Sequence, residues 1–183
     1  MTLRFLPAAL AAALGAGSCL PASAALKPGD AAPQFATQGA LGGKEFHFDL
    51  ADALKKGPVV LYFYPKSFTS GCTAEAHLFA EATDKFAALG ATVVGISEDN
   101  IETQKKFSTM ECRDKFGVLA DKDTAIAKEY DARLAVKPDM ADRISYVISP
   151  EGRILYEYAS MDPQNHVANT MKAVEAWKSS HGH

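Results

Sequence analysis

One cysteine, Cys72, stands where the sequence changes from a strand-like to a helix-like pattern, and this position could make it reactive. It follows an apolar run that ends at Pro65, in the stretch PKSFTSGC. Only the thiolate of cysteine is a good nucleophile, and the free N–H groups and positive dipole of a helix's first turn favour an anion. We therefore interpret Cys72 as a candidate nucleophile, although an isolated cysteine within a helix is more often a small core residue.

Three residues near Cys72 could shape a small polar pocket around its sulfur. Thr69 lies three residues earlier and could place a hydroxyl beside the thiol. Gly71 has no side chain and lets the backbone approach closely. Pro65 has no N–H donor and could close one side. Such a pocket could hold a thiolate and admit a small polar substrate.

The elements that must position these residues alternate between strands and helices. Continuous apolar, β-branched runs at 57–65 and 91–99 predict buried strands. Apolar residues at three- and four-residue steps in 69–89, followed by Gly90, predict a helix. The other predicted elements are a possible hairpin in 27–43, a helix at 101–110, a strand at 116–121, a helix from Asp123 or Thr124 to Tyr130, two strands in 143–158 and a helix at 163–179. This order predicts a single α/β domain with a central mixed sheet flanked by helices.

The composition fits one compact domain and gives no sign of a nucleic-acid partner. The chain has 183 residues, 48% of them hydrophobic, and its 19 basic and 22 acidic side chains form no basic stripe. Arg4, an apolar Ala/Leu run and the small residues 22–24 are typical of an export signal with a cleavage site. We expect residues 1–24 to be removed, which leaves a periplasmic or secreted domain of residues 25–183 without membrane insertion.

Lipid attachment at Cys19 is the less favoured alternative, because Ala16 occupies a position where lipoprotein signals usually have leucine. After cleavage the chain would keep two cysteines, Cys72 and Cys112. Two cysteines in an oxidising compartment can pair.

Pro65, Thr69 and Cys72 match the Pro-x-x-x-Thr-x-x-Cys motif of the peroxiredoxins. The similarity extends over about Leu26 to Trp177, and the chain resembles the bacterioferritin-comigratory, or PrxQ-like, branch of that family. The segments that carry this resemblance are PVVLYFYPK, TAEAHLF, VVGISED, LADKD and RISYVISPEGRILY. The resemblance implies a thioredoxin-like fold and a cysteine peroxidase that acts on hydrogen peroxide and organic hydroperoxides.

The resemblance also implies roles for individual residues. Cys72 would attack a peroxide oxygen and become a sulfenic acid, while the Thr69 hydroxyl and nearby N–H groups hold the oxygens. Arg143, at the start of the strand RISYVIS, would supply a permanent cation beside the thiolate. From the sequence alone, a surface arginine at a strand end is the competing interpretation. Glu75 could orient Arg143, although a solvated charge is the default.

The pattern leaves two alternatives for how the sulfenic acid is resolved. Many PrxQ-like proteins have a second cysteine five residues after the first, where this chain has His77. Five residues turn an α-helix about 140° away from Cys72, so we expect His77 to be structural or at the surface. The resemblance implies that Cys112 resolves the sulfenic acid as a disulfide, that a thioredoxin-like or other thiol donor recycles it, and that the protein is a monomer. The alternative is a one-cysteine enzyme with a spectator Cys112.

Other classes of exported thioredoxin-like proteins fit the sequence less well. Disulfide reductases use Cys-x-x-Cys and copper-delivery proteins use Cys-x-x-x-Cys, whereas Glu75 and Ala76 occupy those second positions. A non-catalytic interaction domain remains an alternative, but it does not account for Thr69, Cys72 and Arg143 together. No cofactor or metal site is predicted, because the remaining histidines are isolated or terminal: His47, His166, His181 and His183.

Overall fold

The computed structural model describes residues 25–181 of the chain. The predicted export signal, its cleavage site, Cys19 and His183 lie outside these residues. The strands are β1 (Ala36–Leu41), β2 (Lys44–Asp49), β3 (Val59–Phe63), β4 (Thr92–Ser97), β5 (Gly117–Ala120), β6 (Arg133–Leu134), β7 (Lys137–Ala141), β8 (Ile144–Ile148) and β9 (Ile154–Ala159). The helices are α1 (Leu50–Leu54), α2 (Ser70–Ala88), α3 (Ile101–Met110), α4 (Ala125–Glu129) and α5 (His166–His181), with a short 3₁₀ helix at Pro163–Asn165.

Seven strands form one mixed sheet, in the order β2-β1-β5-β4-β3-β8-β9. The central strands β3, β4 and β5 are parallel, as expected of strands joined through the helices α2 and α3. The outer neighbours β1 and β8 are antiparallel to β5 and β3. The predicted mixed sheet with flanking helices is therefore confirmed.

Strand β3 divides the hydrophobic core into two layers. All five of its residues are buried, as the apolar run predicted. Because side chains alternate along a strand, Leu61 and Phe63 pack on one face with α1 and α4. Val60 and Tyr62 pack on the other face, against α2, α3 and α5. Cys72 belongs to this second layer.

Some local predictions needed correction. The hairpin of β1 and β2 extends beyond the predicted 27–43, and its turn residues Gly42 and Gly43 have φ values of +56° and +72°, which glycine adopts without strain. Thr124 occupies the N-cap of α4, but the Asp121 carboxylate accepts the hydrogen bonds from the first-turn N–H groups. Helix α1 and the β6–β7 hairpin were not predicted, and α5 continues past Ser179.

Within residues 25–181, no helix is long and apolar enough to span a bilayer.

Tyr62 and Tyr64, two tyrosines in the second core layer, differ in the hydrogen bonding of their hydroxyls. The Tyr64 hydroxyl donates to Gln104 Oε1 at 2.8 Å and lies 3.1 Å from the Ser67 hydroxyl. The Tyr62 ring stacks on Phe79 at a centroid distance of 4.4 Å, but its buried hydroxyl has no hydrogen-bond partner among the described residues. A buried polar group costs stability when it is unpaired and contributes when it is bonded.

We therefore expect Tyr62→Phe to leave the free energy of unfolding unchanged or slightly higher. The matched Tyr64→Phe substitution removes the shorter of the two hydrogen bonds to Gln104 Oε1 and leaves only the one from the Ser67 hydroxyl at 3.2 Å. We expect it to lower that free energy by roughly 1 kcal/mol. Urea unfolding of both variants measures the difference. If Tyr62→Phe lowered the free energy of unfolding more than Tyr64→Phe does, the hydrogen bonding described for the two hydroxyls would be wrong.

Candidate active site around Cys72

Helix α2 places Cys72 among its free N–H groups. Thr69 is the N-cap residue, and the Thr73 N–H donates to the Thr69 carbonyl at 2.8 Å. The N–H groups of the residues before Thr73 therefore have no acceptor inside the helix. Cys72 is the third helical residue, and its side chain is buried, with 1% relative exposure. The predicted position of the thiol at the helix start is confirmed.

Arg143 reaches the same point from the neighbouring strand. It directly precedes β8, and the pairing of Ile144 with Phe63 puts the start of β8 beside the end of β3. The Arg143 Nη2 donates to Cys72 Sγ at 3.3 Å. Its Nε donates to the Met161 carbonyl at 3.1 Å, which orients the guanidinium plane. The structure thus brings together the predicted thiol and the predicted cation.

Gly71 makes room for this cation. A Cβ atom at position 71 would lie 3.0 Å from Nη2 of Arg143, which is closer than normal packing allows. Glycine was expected here to permit a close approach of the backbone, and the group that approaches is the guanidinium. A larger residue at this position would force the guanidinium to shift by a few tenths of an ångström.

Glu75 lies one turn after Cys72 and is the second acidic partner of Arg143. The Arg143 Nη1 donates to Glu75 Oε2, so the suggestion that Glu75 orients Arg143 is confirmed. Glu75 has 0% relative exposure, and its burial raises the pKa of the carboxyl to about 8, against the opposing effect of Arg143. Burial also opposes the charge on Arg143, but Glu75 and Cys72 together raise its pKa above the ordinary value.

Thr69 and Pro65, the other two motif residues, lie in the segment between β3 and Cys72. Thr69 is exposed, and its hydroxyl donates to the Lys66 carbonyl at 2.9 Å, which closes the turn before the helix. Phe68, between them, has a left-handed φ of +66°. Pro65 is buried two residues beyond β3. Their roles toward a substrate stay predictions.

Cys112 lies just after α3 and packs in the same core layer as Cys72. Both thiols are free and buried, and burial raises the pKa of Cys112 well above its ordinary range, with Glu111 and Asp114 adding to the shift. One hydrogen bond and two ion pairs join residues 111–115 to α2: His77–Glu111 at 2.7 Å, Arg113–Glu81 at 3.3 Å and Lys115–Asp84 at 3.2 Å. His77 therefore has the structural role that was expected, and its ring binds the segment that carries Cys112.

His166, which the sequence showed only as an isolated histidine, lies behind Glu75. It is fully buried at the start of α5, with Nδ1 at 2.8 Å from the Ser145 hydroxyl and 3.6 Å from Glu75 Oε1. Its partners come from α2 and β8. No local pattern could have indicated this contact, because it depends on how three separate elements pack.

Comparison with known proteins gives the family. The model of the AhpC/TSA family matches residues 28–157, and the chain belongs to this family. A chloroplastic peroxiredoxin Q of Triticum aestivum is 34% identical over 66% of this chain and 56% of its own length. Peroxiredoxin Bcp of Bacillus subtilis is 32% identical over 64% of this chain and 77% of its own length. The match thus spans little more than half of the wheat protein.

The solved structures agree with this assignment. The crystal structure of peroxidoxin BcpB from Mycobacterium tuberculosis superposes with a TM-score of 0.74 at 28% identity, covering 82% of this chain and 97% of that one. The expected thioredoxin-like peroxiredoxin fold is therefore confirmed, and so is the resemblance to the PrxQ and Bcp branch.

The raised pKa of Glu75 predicts a pH-dependent stability. Between its ordinary value of 4.5 and about 8, the carboxyl is protonated in the folded state and ionised in the unfolded state. The folded state then binds more protons, so the contribution of Glu75 to stability falls as pH rises through this window. We expect the stability of the wild type relative to Glu75→Gln to fall by up to about 1.4 kcal/mol per pH unit.

Urea unfolding from pH 5 to pH 9 measures this difference. Glu81→Gln, which removes an exposed carboxylate from the same helix, is the matched control and should run parallel to the wild type. Parallel curves for the wild type and Glu75→Gln would show that the buried carboxyl does not titrate in this range.

Proposed function

We propose that this chain is a thiol peroxidase that reduces hydrogen peroxide and organic hydroperoxides at Cys72. The contact of 3.3 Å between Arg143 Nη2 and Cys72 Sγ carries the proposal. A guanidinium is charged at every physiological pH, so it stabilises a thiolate and can also bind peroxide oxygens. The similarity to proteins named peroxiredoxin Q and Bcp supports this function over a non-catalytic interaction or metal-delivery domain.

In the first step, the Cys72 thiolate attacks one oxygen of the peroxide. The S–O bond forms while the O–O bond breaks, and Cys72 is oxidised to a sulfenic acid. The other oxygen leaves as hydroxide or alkoxide and takes a proton from solvent to give water or an alcohol. We assign the Thr69 hydroxyl, the first-turn N–H groups of α2 and Arg143 to binding the oxygens, and Pro65 to shielding the site.

In the second step, the Cys112 thiol attacks the sulfenic sulfur, water leaves and a Cys72–Cys112 disulfide forms. A thioredoxin-like or other thiol donor then reduces the disulfide. Both sulfurs are buried, and burial disfavours the Cys112 thiolate. Resolution therefore requires residues 111–115 to move away from α2. In the alternative one-cysteine cycle, an external thiol attacks the sulfenic acid and Cys112 is a spectator.

We also propose that the protein is exported, with residues 1–24 removed, and that it acts as a monomer in the periplasm or outside the cell. The small-residue cleavage pattern at 22–24 supports export. N-terminal peptide mapping of protein from cell fractions, with light scattering for its mass, tests both points. A lipid on Cys19, retention of residues 1–24 or a dimeric mass would overturn the corresponding part.

Stopped-flow oxidation of the reduced protein by one equivalent of hydrogen peroxide tests the peroxidase function. We expect the wild type to be oxidised far faster than a free thiol and Cys72→Ser not to react. In Arg143→Met the rate should be lower by roughly 100-fold, because the site loses one charged donor. Arg153→Met, which removes an exposed arginine from the β8–β9 turn, is the matched control. A wild-type oxidation rate no higher than that of a free thiol would contradict the proposed peroxidase function.

The contacts between residues 111–115 and α2 predict how fast the disulfide forms. We expect the Glu111→Gln substitution to speed formation of the Cys72–Cys112 disulfide roughly two- to fivefold, because a partly exposed contact such as His77–Glu111 contributes up to about 1 kcal/mol. Quenched samples analysed by non-reducing peptide mass mapping give the rate. Asp52→Asn, which breaks the exposed Lys55–Asp52 pair on α1, is the control and should change nothing.

Cys112→Ser should accumulate the sulfenic or sulfinic acid of Cys72 in the same assay. A wild-type protein that stops at this state would show that Cys112 is a spectator. Equal rates of disulfide formation in the wild type and Glu111→Gln would show that the His77–Glu111 contact does not limit the movement of residues 111–115.

A further inference from the structure

Asp99 lies two residues beyond β4, at the same edge of the sheet as the turn that leads to Cys72. Strands β3 and β4 are parallel neighbours, so their carboxyl ends meet at this edge. The Asp99 Oδ2 accepts a hydrogen bond of 2.7 Å from the backbone N–H of Ser67. This carboxylate has no part in the two proposed chemical steps, yet it binds the backbone of the turn that contains Thr69.

The Ser67 N–H belongs to the peptide group whose carbonyl binds the Thr69 hydroxyl. Lys66 and Ser67 share this peptide group, and the Lys66 carbonyl accepts the hydrogen of the Thr69 hydroxyl at 2.9 Å. A trans peptide group is planar, and its N–H and C=O point in opposite directions. Asp99 holds one side of this plane and thereby orients the carbonyl on the other side.

The bond to Asp99 also strengthens the bond to Thr69. A hydrogen bond to an ionised acceptor is stronger than one between neutral groups, and hydrogen bonds in a chain polarise one another. Here the chain runs from the Thr69 hydroxyl through the Lys66–Ser67 peptide group to the Asp99 carboxylate. Because its hydrogen is bound to Lys66, the Thr69 oxygen can only accept from another group, and the O–H of a peroxide is such a donor.

A buried polar network fixes the Asp99 carboxylate itself. The Ser97 hydroxyl donates to Oδ2 of Asp99 at 2.9 Å and accepts from Gln104 Nε2 at 2.9 Å. Gln104 is fully buried and also donates to the Leu119 carbonyl at 2.9 Å. These bonds join Asp99 to β4, β5 and α3, so its position is set by elements outside the turn that it holds.

The backbone of the turn is in a costly conformation and needs such support. Phe68, between Ser67 and Thr69, has a φ of +66°, which is unfavourable for a residue with a side chain. Phe68 is also 42% exposed, so its packing fixes the turn only in part. The Ser67 hydroxyl donates to Gln104 Oε1 at 3.2 Å, which holds the side chain of Ser67 and leaves the orientation of the peptide plane to Asp99.

We propose that Asp99 is a positioning residue of the peroxidase site, which sets the direction of the Thr69 hydroxyl through the Lys66–Ser67 peptide group. This inference deepens the proposed function and rests on it. Within residues 25–181, no hydrogen bond joins Asp99 to Cys72 or Arg143. Its effect on the reaction therefore passes through Thr69.

Two reactions of Cys72 test this role, one with hydrogen peroxide and one with methyl methanethiolsulfonate, which has no O–H or N–H group. Both are measured in a Cys112→Ser parent, so that Cys112 does not react. We expect Asp99→Ala to lower the rate constant for hydrogen peroxide roughly tenfold, because the hydroxyl that binds the peroxide is misdirected. The reaction with the thiolsulfonate should not be slowed.

Two further substitutions show whether the hydrogen bond is responsible. Asp99→Asn keeps an acceptor oxygen for the Ser67 N–H and should retain most of the parent's rate constant for hydrogen peroxide. Asp49→Ala removes a carboxylate that likewise accepts a backbone N–H, at the start of α1 in the other core layer, and should react like the parent. A loss in Asp99→Asn as large as that in Asp99→Ala would contradict the inference.

A double-mutant comparison shows whether Asp99 acts through Thr69. Thr69→Val removes the hydroxyl, and in this background we expect Asp99→Ala to change the rate constant for hydrogen peroxide by less than about twofold. The same tenfold loss in both backgrounds would overturn the inference, because Asp99 would then act without Thr69. Equal slowing of the peroxide and thiolsulfonate reactions would also overturn it, because such a result indicates a general disturbance around Cys72.

Hydrogen exchange of the Ser67 amide, followed by NMR, tests the bond without peroxide and also serves if Asp99→Ala does not fold. We expect the Ser67 N–H of the wild type to exchange much more slowly than a free amide, and faster in Asp99→Ala. Exchange in the wild type at the rate of a free amide would overturn the inference. A wild type that fails to react with peroxide would instead overturn the proposed function, and the exchange result would still stand.

Discussion

The guanidinium of Arg143 is 3% exposed, and its charge has to be balanced inside the protein. It lies between two acidic groups, the Cys72 thiol and the Glu75 carboxyl, which are one helical turn apart on α2. A buried cation stripped of its partners is strongly destabilising, because no water replaces them. The contact with Arg143 also places a permanent positive charge 3.3 Å from Cys72 Sγ, where the proposed reaction uses it. Stability and proposed chemistry depend on one interaction.

The sheet explains why these groups meet. Strand β3 leads into the turn before α2, so Cys72 sits beyond the carboxyl end of β3. Because β8 runs antiparallel to β3, its first residues lie beside that same end and deliver Arg143. The α5 helix packs on the same face and supplies His166. Each side chain thus lies on a regular element or directly next to one, which positions the guanidinium better than a long loop would.

Both cysteines are buried, which restricts how they can react. Cys72 is 1% exposed, so very little of its surface is open to solvent. Cys112 is buried as well, in a segment with left-handed φ values of +51° at Arg113 and +57° at Asp114. This backbone conformation is costly for most residues other than glycine. In the proposed two-cysteine cycle, this segment would move to bring the two sulfurs together.

The sequence by itself determined most of the helices and strands and named the residues of the candidate site. Helix α3 has the predicted bounds, and α2 differs from its prediction by one residue at each end, because apolar periodicity and capping residues are local signals. The motif residues Pro65, Thr69 and Cys72 were recognisable for the same reason. The short α1 and the β6–β7 hairpin were missed, since two to five residues show no clear period.

Only the tertiary structure decided which distant groups meet. The sequence could name Arg143 and Glu75, but their contact with each other and with Cys72 depends on the pairing of β8 with β3. The place of His166 behind Glu75, and the ion pairs that hold Cys112 against α2, carry no local signal at all. Such contacts join residues far apart in the chain, and packing alone brings them within bonding distance.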